Sequence, residues 1–192
     1  MNSSSKSAKQ LAFLGVMFAL IFVFLLVETY AFSAFFGNFT PAILTIPVAI
    51  SLALVGSKRP MLVGGTLLGC SSFLLAIIIG NPIFLNPLIS IFPRIFIGLV
   101  AYGVYVLLNK FFASSQNKFM SEVLPAAVAG VLGTVTNTVC TIFMMWVFNK
   151  SDIASVFTVL ISINFVAEVI AAAILTPTYV MLIKKITSKL GV

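Results

Sequence analysis

The sequence predicts an all-α integral membrane protein: one compact bundle of six transmembrane helices spanning residues 1–192, with both termini cytoplasmic. Three observations predict it. Apolar residues make up 61% of the chain and charged residues only 8%, too few to clothe a water-facing surface. The mean hydropathy is +1.21. The apolar residues also come in runs of roughly 20, the length a helix needs to cross a hydrocarbon core of about 30 Å. They do not alternate with polar residues as the strands of a membrane barrel do.

The six spans fall at 8–30, 40–57, 60–80, 87–109, 121–148 and 154–183. The first is too long for a signal core, and no small-residue cleavage site clearly follows it. The second is marginal in length for a crossing. Lys6 and Lys9 precede the first span, Lys58 and Arg59 separate the second from the third, and Lys110 and Lys118 lie between the fourth and fifth. Lys184, Lys185 and Lys189 follow the sixth. The remaining connections carry only Lys150, close to Asp152. An even number of spans with cytoplasmic termini places every basic cluster on one side. The outer connections, 30–41 and 80–87, are apolar, aromatic and turn-rich. That suits loops folded over a pocket, or interfacial aromatics that anchor helix ends.

The net charge of +7 is accounted for by these helix ends, and no basic stripe with interleaved aromatics points to nucleic acid. Cys70 and Cys140 lie in apolar stretches and read as small hydrophobes. The chain has no His, which argues against Ser-His catalysis and His-ligated zinc. Its four acidic residues are scattered, and no Gly-rich phosphate loop is present. The reading is a protein that is not an enzyme and needs no cofactor or metal.

Charge within the hydrocarbon is costly, so each such residue needs a partner or a role. Arg94 lies in the fourth span and Glu168 near the middle of the sixth, with Asn164 one turn before it on the same face. Thr134, Asn137, Thr138 and Thr141 form a polar stripe on the fifth. One reading places Arg94, Asn137, Thr141, Asn164 and Glu168 around a solute cavity in the outer half of spans four to six, with Asn38 and Asn86 contributed by the outer connections. Arg94 then holds an anionic or carbonyl group, and the amides and threonines read hydroxyls and amides. The other reading is a buried Arg94–Glu168 ion pair with interhelical polar glue. Glu28, at the outer end of the first span, reads as interfacial. Ser5, Ala8, Ala12, Gly15 and Ala19 form a stripe of small residues that lets another helix approach, within the bundle or from a partner.

Residues 86–100 read Asn-Pro-Leu-Ile-Ser-Ile-Phe-Pro-Arg-Ile-Phe-Ile-Gly-Leu-Val and continue with Ala101-Tyr102. With Thr45-Ile46-Pro47-Val48, Gly64-Gly65, Gly69 and the small-residue stripe, the whole chain resembles the substrate-binding S components of energy-coupling factor (ECF) vitamin transporters. It is most similar to the pantothenate type. The resemblance implies capture of a water-soluble vitamin from outside, near spans four to six. It implies partnership with a transmembrane coupling subunit and two cytoplasmic ATPases, and release inside by ATP-driven toppling. The family's Ala-x-x-x-Ala docking motif maps onto Ala8 and Ala12, extended here by Gly15 and Ala19. Hydroxymethylpyrimidine, riboflavin or folate are alternative substrates. A stand-alone ion-coupled carrier using Glu168, or a non-transport scaffold, are alternative functions, although no internal repeat of the carrier kind is evident.

Overall fold

The computed structural model describes residues 3–36, 42–56, 60–148, 158 and 163–191. Most of those residues are helical, and there is no strand among them. Helix α1 (Ser3–Phe36) has 34 residues and is about 51 Å long at 1.5 Å per residue. It continues well past the expected end of the first span, so residues 30–36 belong to the helix and not to an outer loop. Neither glycine nor proline occurs in this stretch before Gly37 to end it. Phe13, Met17, Ile21 and Glu28 are its buried side, while Leu11, Val16, Val23 and Val27 are exposed.

Helix α2 (Thr45–Val55) has only 11 residues, about 16 Å, shorter than the expected span and too short to cross by itself. Residues 45–54 are all buried. An apolar run sets that a helix is hidden, and here it is hidden by protein rather than by lipid. Helix α3 (Pro60–Ile79) ends where Gly80 takes φ +69°. The Asn81 N–H then reaches back to the Ala76 carbonyl at 3.0 Å, which satisfies a carbonyl that the helix end leaves over.

The expected fourth span is broken in two. Asn86 caps the short α4 (Pro87–Ser90), its side chain accepting the Leu88 N–H at 3.0 Å, with Pro87 at the first helical position. Ile91 intervenes before α5 (Phe92–Phe111). A π-helical turn, Phe119–Val123, leads into α6 (Leu124–Val147). Helix α7 (Ile163–Leu190) carries Pro177 in its interior and stops at Gly191, φ +67°. Lys184, Lys185 and Lys189, expected beyond the sixth span, lie inside α7. Lysine is a good helix former and is favoured near a helix C-terminus.

Among the described residues, five helical stretches are long and apolar enough to cross a membrane: Ser7–Phe32, Met61–Ile79, Pro87–Phe111, Phe119–Val147 and Ile163–Leu190. The protein is a multi-pass membrane protein with α2 packed among α3, α5, α6 and α7, and with α1 at the margin against α3. Close approaches fix the registers. Gly65 packs on the Arg94 carbonyl and Gly98 on that of Met61, so α3 and α5 run antiparallel. A methyl group at Gly133 would stand 3.3 Å from the Ala101 Cβ, and one at Gly130 2.7 Å from the Ala172 carbonyl. The Lys9 ammonium donates to the Leu190 carbonyl at 3.4 Å, and that of Lys184 lies 5.8 Å from the Tyr105 ring. Basic side chains of α1 and α7 therefore share one end of the bundle.

Candidate functional site

Toward the opposite end, the break at Ile91 creates the setting for Arg94. Pro93 has no N–H to give the Ile89 carbonyl, and the Arg94 N–H bonds Ile91 at 3.1 Å instead of Ser90. Two carbonyls are thereby freed, and the Arg94 side chain takes both. Its Nη1 donates to Ser90, and to Ile89 at 3.5 Å. Arg94 is 9% exposed, and its guanidinium lies 5.4 Å from the centroid of the Phe84 ring, a cation–π distance. Phe84 is held there because its carbonyl accepts the Ser90 hydroxyl. The 80–86 connection thus folds over Arg94.

Helix registers bring the other polar residues to this depth. From the Ala101–Gly133 contact, seven residues back along α5 reaches Arg94 and seven forward along α6 reaches Cys140. The depression of about 240 Å³ between Phe92, Pro93, Phe96, Cys140, Phe143 and Met144 agrees with that pairing. Thr141 is therefore level with Arg94, and Asn137 sits one turn deeper, about 6 Å. From Gly130 against Ala172, the same antiparallel count places Glu168 level with Thr134, about one turn deeper than Asn137, and Asn164 level with Thr138, close to Asn137. Glu168 is close enough to Arg94 to act on it electrostatically. The depression itself is apolar and lies apart from this polar group, on the outer seam between α5 and α6.

Arg94 and Glu168 share no hydrogen bond among the described residues. Glu168 instead accepts the Ala42 N–H at 2.9 Å, so its carboxylate tethers the approach to α2. Glu28 does the same from α1. It is 1% exposed and accepts the N–H groups of Leu44 and Thr45 and the Thr45 hydroxyl. Leu44, at the cap position of α2, offers no side-chain acceptor of its own, and Glu28 supplies it from a neighbouring helix. The interfacial reading of Glu28 is corrected: α1 extends two turns beyond it, which carries it inside.

Among the described residues, Arg94 Nε, Asn137 Oδ1 and Thr141 Oγ1 are buried polar atoms in this region with no hydrogen-bond partner. Thr134, by contrast, bonds back to the Gly130 carbonyl at 2.9 Å, and Asn86 is engaged as the α4 cap. Asn164 is partly buried beside Glu168, one turn along α7. Asn38 lies outside the described residues. Ala8, Ala12, Gly15 and Ala19 are all exposed on α1. A methyl group on Gly15 would meet nothing within 4 Å, so the stripe packs against none of the described residues. Phe84, Ser90 and the Ala42 N–H escaped the sequence reading. The Pro-Arg pair at 93–94 was the available signal for the freed carbonyls.

No protein-family model matches the chain, and no solved structure matches it significantly. Among curated proteins, it is similar to the pantothenic acid transporter PanT of Lactococcus lactis subsp. cremoris (strain MG1363). The two are 26% identical over 199 aligned residues, covering 93% of this chain and 95% of that protein. This end-to-end similarity bears out the resemblance drawn from residues 86–100.

Proposed function

We propose that this chain is the vitamin-capturing S component of an ECF-type importer and that its solute is pantothenate. In this reading both termini face the cytoplasm, and Arg94, Asn137, Thr141, Asn164 and Glu168 surround the solute from the outer half of α5, α6 and α7. Asn86 supports the site by capping α4, and Asn38 belongs to the connection above it. The exposed Ala8, Ala12, Gly15 and Ala19 form the docking face for a transmembrane coupling subunit, which two cytoplasmic ATPases drive. The protein performs no chemistry on its solute.

The observation that carries this reading is Arg94: a buried guanidinium whose hydrogen bonds among the described residues go to neutral carbonyls and whose Nε has no partner among them. A buried cation calls for an anion in direct contact, and a vitamin carboxylate supplies one. The similarity to a pantothenic acid transporter points to the same solute. Equilibrium binding of labelled pantothenate to the purified chain tests it. Micromolar or tighter binding, lost in Arg94→Ala, is expected. If the chain alone in liposomes drives gradient-dependent uptake that Glu168→Gln abolishes, it is an ion-coupled carrier instead.

A further inference from the structure

The three atoms left without a partner among the described residues differ in chemistry and depth, and the difference orients a ligand. Arg94 Nη1 is committed backwards to the carbonyls of Ser90 and Ile89, which leaves the Nε edge as the one on offer. That edge is a donor, suited to a carboxylate. Asn137 Oδ1 is an acceptor and sits about one helical turn, or 6 Å, deeper. Thr141, level with Arg94, can donate or accept. About one turn deeper than Asn137, Glu168 adds a second acceptor-bearing group, which repels an anion and accepts from N–H or O–H.

Resting on the pantothenate reading, we infer that the ligand lies carboxylate-outward: its carboxylate on the Nε edge of Arg94 and its amide and hydroxyl donors directed inward, the first of them to Asn137 Oδ1. The site then selects a molecule that carries a carboxylate at one end and hydrogen-bond donors a few bonds away. Arg94 reads the charge, and Asn137 reads the donor regardless of the charge. A neutral analogue with the same donors keeps the inner contacts and loses only the outer one.

The experiment uses the full-length protein in detergent and two ligands, pantothenate and pantothenyl alcohol, in which a hydroxymethyl group replaces the carboxylate. Wild type is expected to prefer the acid by about ten- to a hundredfold, the range for a charge-assisted hydrogen-bonded pair. In Arg94→Gln the preference disappears, because the acid weakens to the level of the alcohol. In Asn137→Leu both ligands weaken by the same factor and the preference stays. Equal binding of acid and alcohol by wild type overturns the orientation while leaving the pantothenate reading standing. So does a preference that survives Arg94→Gln, or one that Asn137→Leu removes. If Arg94→Gln does not fold, the wild-type ratio and Asn137→Leu decide. Binding of neither ligand by wild type brings down the solute assignment itself, and the orientation with it.

Discussion

Pro93 and Arg94 act as a unit, because the proline withholds the N–H that a helix would have used and the arginine collects the carbonyls left over. Glu28 performs the complementary task for α2, accepting donors from its first residues. Replacing Glu28 with leucine strands those buried N–H groups, at a cost of about 1–3 kcal/mol each when nothing else accepts them. Thermal unfolding in detergent should show a marked drop for Glu28→Leu and a smaller one for Glu28→Gln, which keeps one acceptor. Arg94, Asn137, Thr141 and Glu168 could be picked out in the sequence because polar groups stand out in apolar runs. Glu28 was misread because its place near the end of the hydropathy run hides how far the helix continues. The Glu168–Ala42 bond links residues 126 positions apart, and no local pattern encodes it.

Helices α3 and α5 meet along glycines, and Gly65 sits against the carbonyl of Arg94 itself. A methyl group there must push the two helices apart, and overpacking of this kind costs about 1–3 kcal/mol. Gly65→Ala should therefore lower stability and weaken pantothenate binding. Gly103→Ala on α5 is the control, since nothing lies within 4 Å of its added carbon; it should be neutral or raise stability by up to about 1 kcal/mol. Comparing melting temperature and affinity for the two alanine variants checks both statements. At this scale the described helices fit the predicted spans roughly, and α3 ends at Gly80 while Asn86-Pro87 opens α4. It mistook the length of α2, because apolar composition reports removal from water without saying whether lipid or other helices provide it. The break at Ile91 follows from Pro93, which composition alone leaves ambiguous between a kink and a stop.

The molecule as a whole is lopsided. Helices α3, α5, α6 and α7 enclose α2, while α1 leans on the margin with Ala8, Ala12, Gly15 and Ala19 turned outward. Docking through that face predicts that Ala12→Leu leaves pantothenate affinity unchanged yet prevents co-purification with the coupling subunit. Loss of affinity together with assembly would show that the face belongs to the fold instead. The apolar stretch Ser7–Phe32 has 26 residues, about 39 Å of helix against a hydrocarbon core of about 30 Å. Such an excess is relieved by tilting the helix or thickening the bilayer, and the interior α2, shielded from lipid, senses neither. Acyl-chain length thus becomes a control acting chiefly on α1. Vesicles of short-chain lipid should incline it further and longer chains should bring it upright, so membrane thickness sets the angle at which its outward face is presented.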